Sequence, residues 1–232
     1  MRLVLLLLIA APLFASAQPK SWAPNRPVEL VVGVSPGGGI DRTARTLQRI
    51  VQDKRLVAVP LNVINKPGGG GTISQTYLNQ HAGDAHYVVI TATSLLTNHI
   101  IGRTPIAHRH FTPVAMLYDE YLGFAVNSDS PIRNGRALLD ALKKPEALPI
   151  GIATSAGNTN HIGAALLAKA VGVEPKRVKV VVFGSGGESL TALMGGHVGL
   201  VVTPSANLIG PMQNGRIRVL GVAAPKRIAG PL

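Results

Sequence analysis

Cysteine is absent from the 232 residues, which excludes disulfides, thiol nucleophiles and thiolate-held metals together. A chain of this length can bury a core large enough to fold without such staples. Aromatic residues are scarce as well, too few to build the stacking platforms of a nucleic-acid binder. Acidic residues are outnumbered, 11 Asp and Glu against 23 Lys and Arg. The cations are scattered along the chain (Arg42, Arg45, Arg49, Lys54 and Arg55, then Lys176, Arg177 and Lys179) and form no stripe, so no nucleic-acid partner is expected. Long-range attraction of small carboxylates and plain solubility remain open as meanings of that charge.

Long apolar runs are missing beyond the first residues. Met1-Arg2, then Leu3 to Ala11, then Ala15-Ser16-Ala17 read as the charged, apolar and cleavage regions of a signal peptide spanning residues 1–17. The apolar stretch is shorter than the roughly 20 residues of a spanning helix, and Pro12 interrupts it. The expectation is an exported, periplasmic protein cleaved near Ala17.

What is present is an alternation of strand-length apolar runs with stretches of helical period, the pattern of an α/β protein with mainly parallel sheets. Strands are expected at Val28 to Val34, Val59 to Ile64, Tyr87 to Thr91, Leu148 to Ala153, Val178 to Phe183, Val198 to Thr203 and Ile217 to Ala223. Helices are expected from about Ile40, with Ile40, Ala44, Leu47, Ile50 and Val51 on its buried face, and at Ile73 to Gln80, Asn158 to Val171 and Glu188 to Met194. A long irregular connection containing Pro105, Pro113 and Pro131 separates two halves, with a boundary near Tyr118 to Val126.

Glycine and small polar residues mark the strand-to-helix turns, first at Ser35-Pro36-Gly37-Gly38-Gly39. Glycine lets a ligand approach the backbone, and a helix start leaves N–H groups without intrahelical partners, so such a junction suits an anion. If the sheets face one another, Pro36 to Asp41 and Ser155 to Asn160 bring two helix starts to one cleft, an arrangement fit for an organic di-anion gripped by backbone amides and hydroxyls. Nucleotide cofactors fail on spacing: no glycine turn is followed by Gly-Lys-Ser/Thr, and Gly184-Ser185-Gly186 meets Ser189 where a third glycine is required. No cofactor is expected.

Ala153-Thr154-Ser155-Ala156-Gly157 is one residue away from a nucleophile elbow, which makes an exported serine hydrolase using Ser155 the enzymatic alternative. Its partners are poorly placed, because only His161 and His197 follow Ser155. His108 and His110 flank Arg109 without a third ligand at metal spacing and read as a solvated loop, so no metal is expected. Asp119-Glu120 reads as surface charge, since neighbours in a strand point apart.

The order of these motifs resembles the Bug family, the extracytoplasmic solute receptors of tripartite tricarboxylate transporters. The resemblance is carried by Ser35 to Asp41 with Arg45, Asn65-Lys66-Pro67 with Gly68 to Gly71, Ala153 to Asn158 with His161, Gly184 with Leu193 to Val198, and Gly215 to Leu220, and runs from about Pro27 to Lys226. It implies a two-lobed periplasmic-binding-protein fold of type II, a hinge, and a non-enzymatic monomer that passes a small carboxylate to membrane permease subunits. The family's ligand contacts fall here on Ser35, Pro36, Gly37, Gly38, Gly39, Ile40 and Asp41, on Thr91, Ala92 and Thr93, on Ser155, Gly157, Asn158, Thr159 and His161, and on Gly184 and Thr203. Thr203 stands in Val202-Thr203-Pro204, where members often carry Phe-Asp-Asn. The implied division is a first lobe over residues 24–122, a second over 123–223, and the start of a return to the first lobe at 224–232. Members usually continue past this point, so the resemblance implies that part of the first lobe is missing; a remnant without binding activity is the further alternative.

Overall fold

The structure, a computed structural model, describes residues 22–230; the expected signal peptide lies outside them. The first sheet is built from β1 (Val28–Val32), whose turn leads into α1 (Gly39–Asp53), then β2 (Leu61–Asn65), α2 (Thr72–Gln80) and β3 (Tyr87–Ile90). All three strands are parallel, in the order β2-β1-β3. Period-2 alternation sends Leu30 and Val32 to the face that packs on Ala44, Leu47 and Val51 of α1. Ile50, expected on that buried face, is 40% exposed instead, because the helix turns it toward an outer groove.

The connection read as irregular contains three regular elements: α3 (Ser94–Ile100), β4 (Leu122–Asn127) and α4 (Gly135–Leu142). β4 is central to the second sheet. That sheet is completed by β5 (Ile150–Ala153), α5 (Thr159–Ala170), β6 (Val180–Phe183), α6 (Gly186–Met194), β7 (Leu200–Pro204), α7 (Ile209–Gln213) and β8 (Ile217–Ala223), with strand order β6-β5-β7-β4-β8. β5 runs parallel to β6 and β7, while β4 runs antiparallel to β7 and β8. The sheets are thus mixed and mainly parallel.

Both faces of the second sheet are covered. Phe124, Val126, Ile150, Ile152, Leu200 and Val202 point to one side, against Leu138 and Leu142 of α4 and Ala164 of α5. The intervening Ala125 and Val201 point to the other, against Leu190 and Leu193 of α6 and Leu208. Burial on two faces explains why β5 and β7 read as continuous apolar runs. No helix among the described residues is long and apolar enough to cross a membrane.

Candidate functional site

The turns after β1, β2, β3, β5 and β6 and the end of β7 line one cleft between the two sheets, enclosing about 80 Å³, room for several water-sized guests. Carboxyl ends of parallel strands are where such sheets place ligands, because the chain leaves the sheet there and helices begin. Gly38, Gly39 and Ile40 bring the start of α1 to the wall, Gly70 and Gly71 the start of α2, Asn158, Thr159 and Asn160 the start of α5, and Gly186 the start of α6. The caps differ. Asn158 accepts from the His161 N–H at 3.0 Å and Ser185 from the Glu188 N–H at 3.2 Å, whereas Gly38 offers α1 no side-chain cap. The early N–H groups of α1 therefore keep their capacity to bind an anion.

The α1 turn is held from behind. Asp41, 2% exposed, accepts from the Gly37 N–H at 3.0 Å, from Arg45 Nε at 3.0 Å and from Asn65 Nδ2 at 2.8 Å. Burial pushes its carboxyl up, but these donors together outweigh that and hold it below the usual carboxylate value. The side chain is committed to the turn and does not line the cleft.

Ser35 and Gly184 bridge the two lobes: the Ser35 N–H reaches the Gly184 carbonyl at 3.4 Å. With Pro36 and Gly37 they stand outside the cleft wall, to which this turn contributes Gly33 and Val34 and then Gly38 to Ile40. Thr91 and Ala92 line the wall, while Thr93 is exposed outside it as the cap residue of α3. Ser155 is also behind the wall, 4% exposed, against Gly70 of the other lobe. Thr203 lines the cleft, and its hydroxyl accepts from Asn207 Nδ2 at 3.0 Å.

Ser155 Oγ has no hydrogen-bond partner, and His161 Nδ1 accepts the Gly157 N–H at 2.8 Å. Burial depresses the His161 pKa, in keeping with a neutral ring whose Nδ1 is an acceptor. The serine and the nearest histidine are therefore not paired as nucleophile and base. Gly157 and His161 lock the turn that presents Asn158 and Thr159.

Asn207 was not singled out by the sequence, and Glu120 was read there only as surface charge. Asn207 accepts a hydrogen bond from Arg42 Nη2, and Arg42 Nη1 also donates to the Gly37 carbonyl at 2.9 Å, so the pair ties α1 to the segment after β7. Its signal was faint, a lone Asn four residues beyond Thr203. Glu120 is not in a strand, as assumed when it was read as surface charge, but lies in the irregular segment before β4, where it is exposed and lines both the rim of the cleft and the outer groove beside α1.

Comparison with known proteins gives this geometry a setting. Residues 43–230 match the model of the family described as tripartite tricarboxylate transporter family receptor. A UPF0065 protein in the tcbD-tcbE intergenic region of Pseudomonas sp. (strain P51) is 26% identical over 206 residues, 88% of this chain and 60% of the relative. Protein BugT of Bordetella pertussis (strain Tohama I) is 24% identical over 94% of this chain and 65% of its own length. The chain thus spans less than two thirds of the length of these curated relatives. Among solved structures, an R. palustris protein with adipate superposes with a TM-score of 0.78 at 25% identity, covering 88% of this chain and 68% of that one.

Proposed function

Because the chain belongs to the tripartite tricarboxylate transporter receptor family, we propose that it is a periplasmic solute-binding protein that captures a small carboxylate and delivers it to a transporter of that type. The observation that carries the reading is the cleft itself: several helix starts converge on it and, among the described residues, no Lys, Arg or His lines it. Each helix start contributes a partial positive charge of about half an elementary unit. A carboxylate is gripped by backbone dipoles there, so recognition does not depend on a cationic side chain. A ligand touching both lobes favours the closed arrangement and shifts the population toward it. The adipate of the R. palustris relative supports this ligand class.

The test is a thermal-shift screen of the mature chain against small mono-, di- and tricarboxylates and amino carboxylates. A concentration-dependent rise in melting temperature with at least one is expected. A folded sample that responds to none of them would overturn the reading.

A further inference from the structure

Glu120 is the one charged side chain among the described residues lining the cleft. The cations nearby are engaged elsewhere. Arg42 is held by the Gly37 carbonyl and Asn207, Arg45 by Asp41 and Asn65, and Arg103 by Asn98 and the Ala156 carbonyl. Among the described residues Glu120 has no such partner; its one hydrogen bond there is a long one, from the Tyr118 hydroxyl at 3.5 Å. The cleft therefore has two electrical characters, the positive helix starts on its walls and a lone carboxylate at its rim.

A dicarboxylate seated on the helix starts would bring its second negative charge toward that rim. At a separation of about 5 Å, like charges cost about fourfold in affinity at the dielectric of water and about a few hundredfold at an effective dielectric of about 20, and an ammonium group gains a comparable factor. We infer that Glu120 selects, among small carboxylates, those that also carry an ammonium group: the helix starts hold the carboxylate and Glu120 faces the cation. This rests on the receptor reading above and narrows it. Partial burial raises the Glu120 carboxyl above its ordinary value, with the Tyr118 hydrogen bond opposing, although the residue as a whole is exposed.

Matched pairs that differ only at the far end test the inference by calorimetry on the whole chain: malonate against glycine, succinate against 3-aminopropanoate, and glutarate against 4-aminobutanoate. The amino member is expected to bind at least about tenfold tighter in any pair that binds. Glu120→Gln should bring the two members to within about threefold, and Glu120→Lys should reverse the order, with circular dichroism confirming the fold of each variant. A native preference for the diacid, or an amino preference that Glu120→Gln leaves unmoved, overturns the inference while the receptor reading stands. Silence from every member of every pair, in a folded sample that does respond to other carboxylates, overturns the inference alone; silence from all carboxylates overturns both.

Discussion

Replacing Asp41 by alanine tests whether the anion seat is held by its own rear support. The carboxylate accepts from three donors on three different segments: Gly37 in the turn, Arg45 one turn further along α1, and Asn65 at the end of β2. Hydrogen bonds to a charged group are worth about 1.5–3 kcal/mol each when shielded. The Gly37 and Asn65 bonds fall in that class, since Asp41 is 2% exposed. Arg45 is half exposed, so its share is discounted to at most about 1 kcal/mol. The sum predicts a loss of about 3–7 kcal/mol, a large part of the ~5–15 kcal/mol that holds a domain folded.

Urea denaturation at neutral pH, followed by far-UV circular dichroism, measures it. Adding Arg45→Ala to Asp41→Ala should show a coupling of about 1 kcal/mol or less, whereas Asn65→Ala should couple more strongly with Asp41→Ala. A single-mutant loss below about 1 kcal/mol would refute the assignment of this carboxylate as the turn's support. The pH dependence has a fixed sign. Because the folded-state pKa is lowered, the stabilisation is fully present above the unfolded carboxylate value near 4 and is lost as the pH falls from there through the lower folded-state value.

Two further substitutions probe the contact between lobes and the second turn. Gly70 has φ +67°, and a Cβ placed there meets Ser155 Cβ and Oγ at 2.6 Å across the cleft. Gly70→Ala should weaken carboxylate binding about tenfold or more and enlarge the radius of gyration in X-ray scattering, while Gly37→Ala, with φ +85° and open space, tests backbone strain without the clash; equal behaviour of the two would show that closure is not obstructed. For His161 the folded-state pKa is lowered, so stability is full above the unfolded value near 6.5 and declines as the pH falls below it. His161→Asn keeps an acceptor for the Gly157 N–H but cannot titrate; its melting temperature should fall less than that of the native chain between pH 7.5 and 5, and an identical fall would exclude His161 as a source of the acid sensitivity.

Much of the fold was legible because glycine turns and apolar runs act locally. A run such as Leu148 to Ala153 between turn residues forms a strand almost wherever it is buried, and Gly37-Gly38-Gly39 permits a turn that few other residues tolerate. The joint order of those turns resembled the Bug family, and the family match over residues 43–230 agrees with it. β4 escaped notice because Leu122 to Asn127 includes Gly123 and Ala125, weak strand formers that only a central place between β7 and β8 makes into a strand. Gly123 is needed there, since a Cβ would meet Leu208 at 2.4 Å.

Within the cleft, the residue types that suit an anion were readable, but not which atoms face it. Asp41, Gly157 and His161 lie at the expected turns, yet their side chains or amides are spent on holding those turns together, and Ser155 packs against Gly70 instead of facing the cleft. Asn207 and Glu120 reach the same space from segments far away in the chain. The sequence by itself determined the α/β alternation and the helix starts, because backbone preference and apolar period are properties of neighbouring residues. Only the tertiary structure decided which side chains meet across the cleft, because that depends on how two sheets are set against each other, and the charge at its rim follows from that placement.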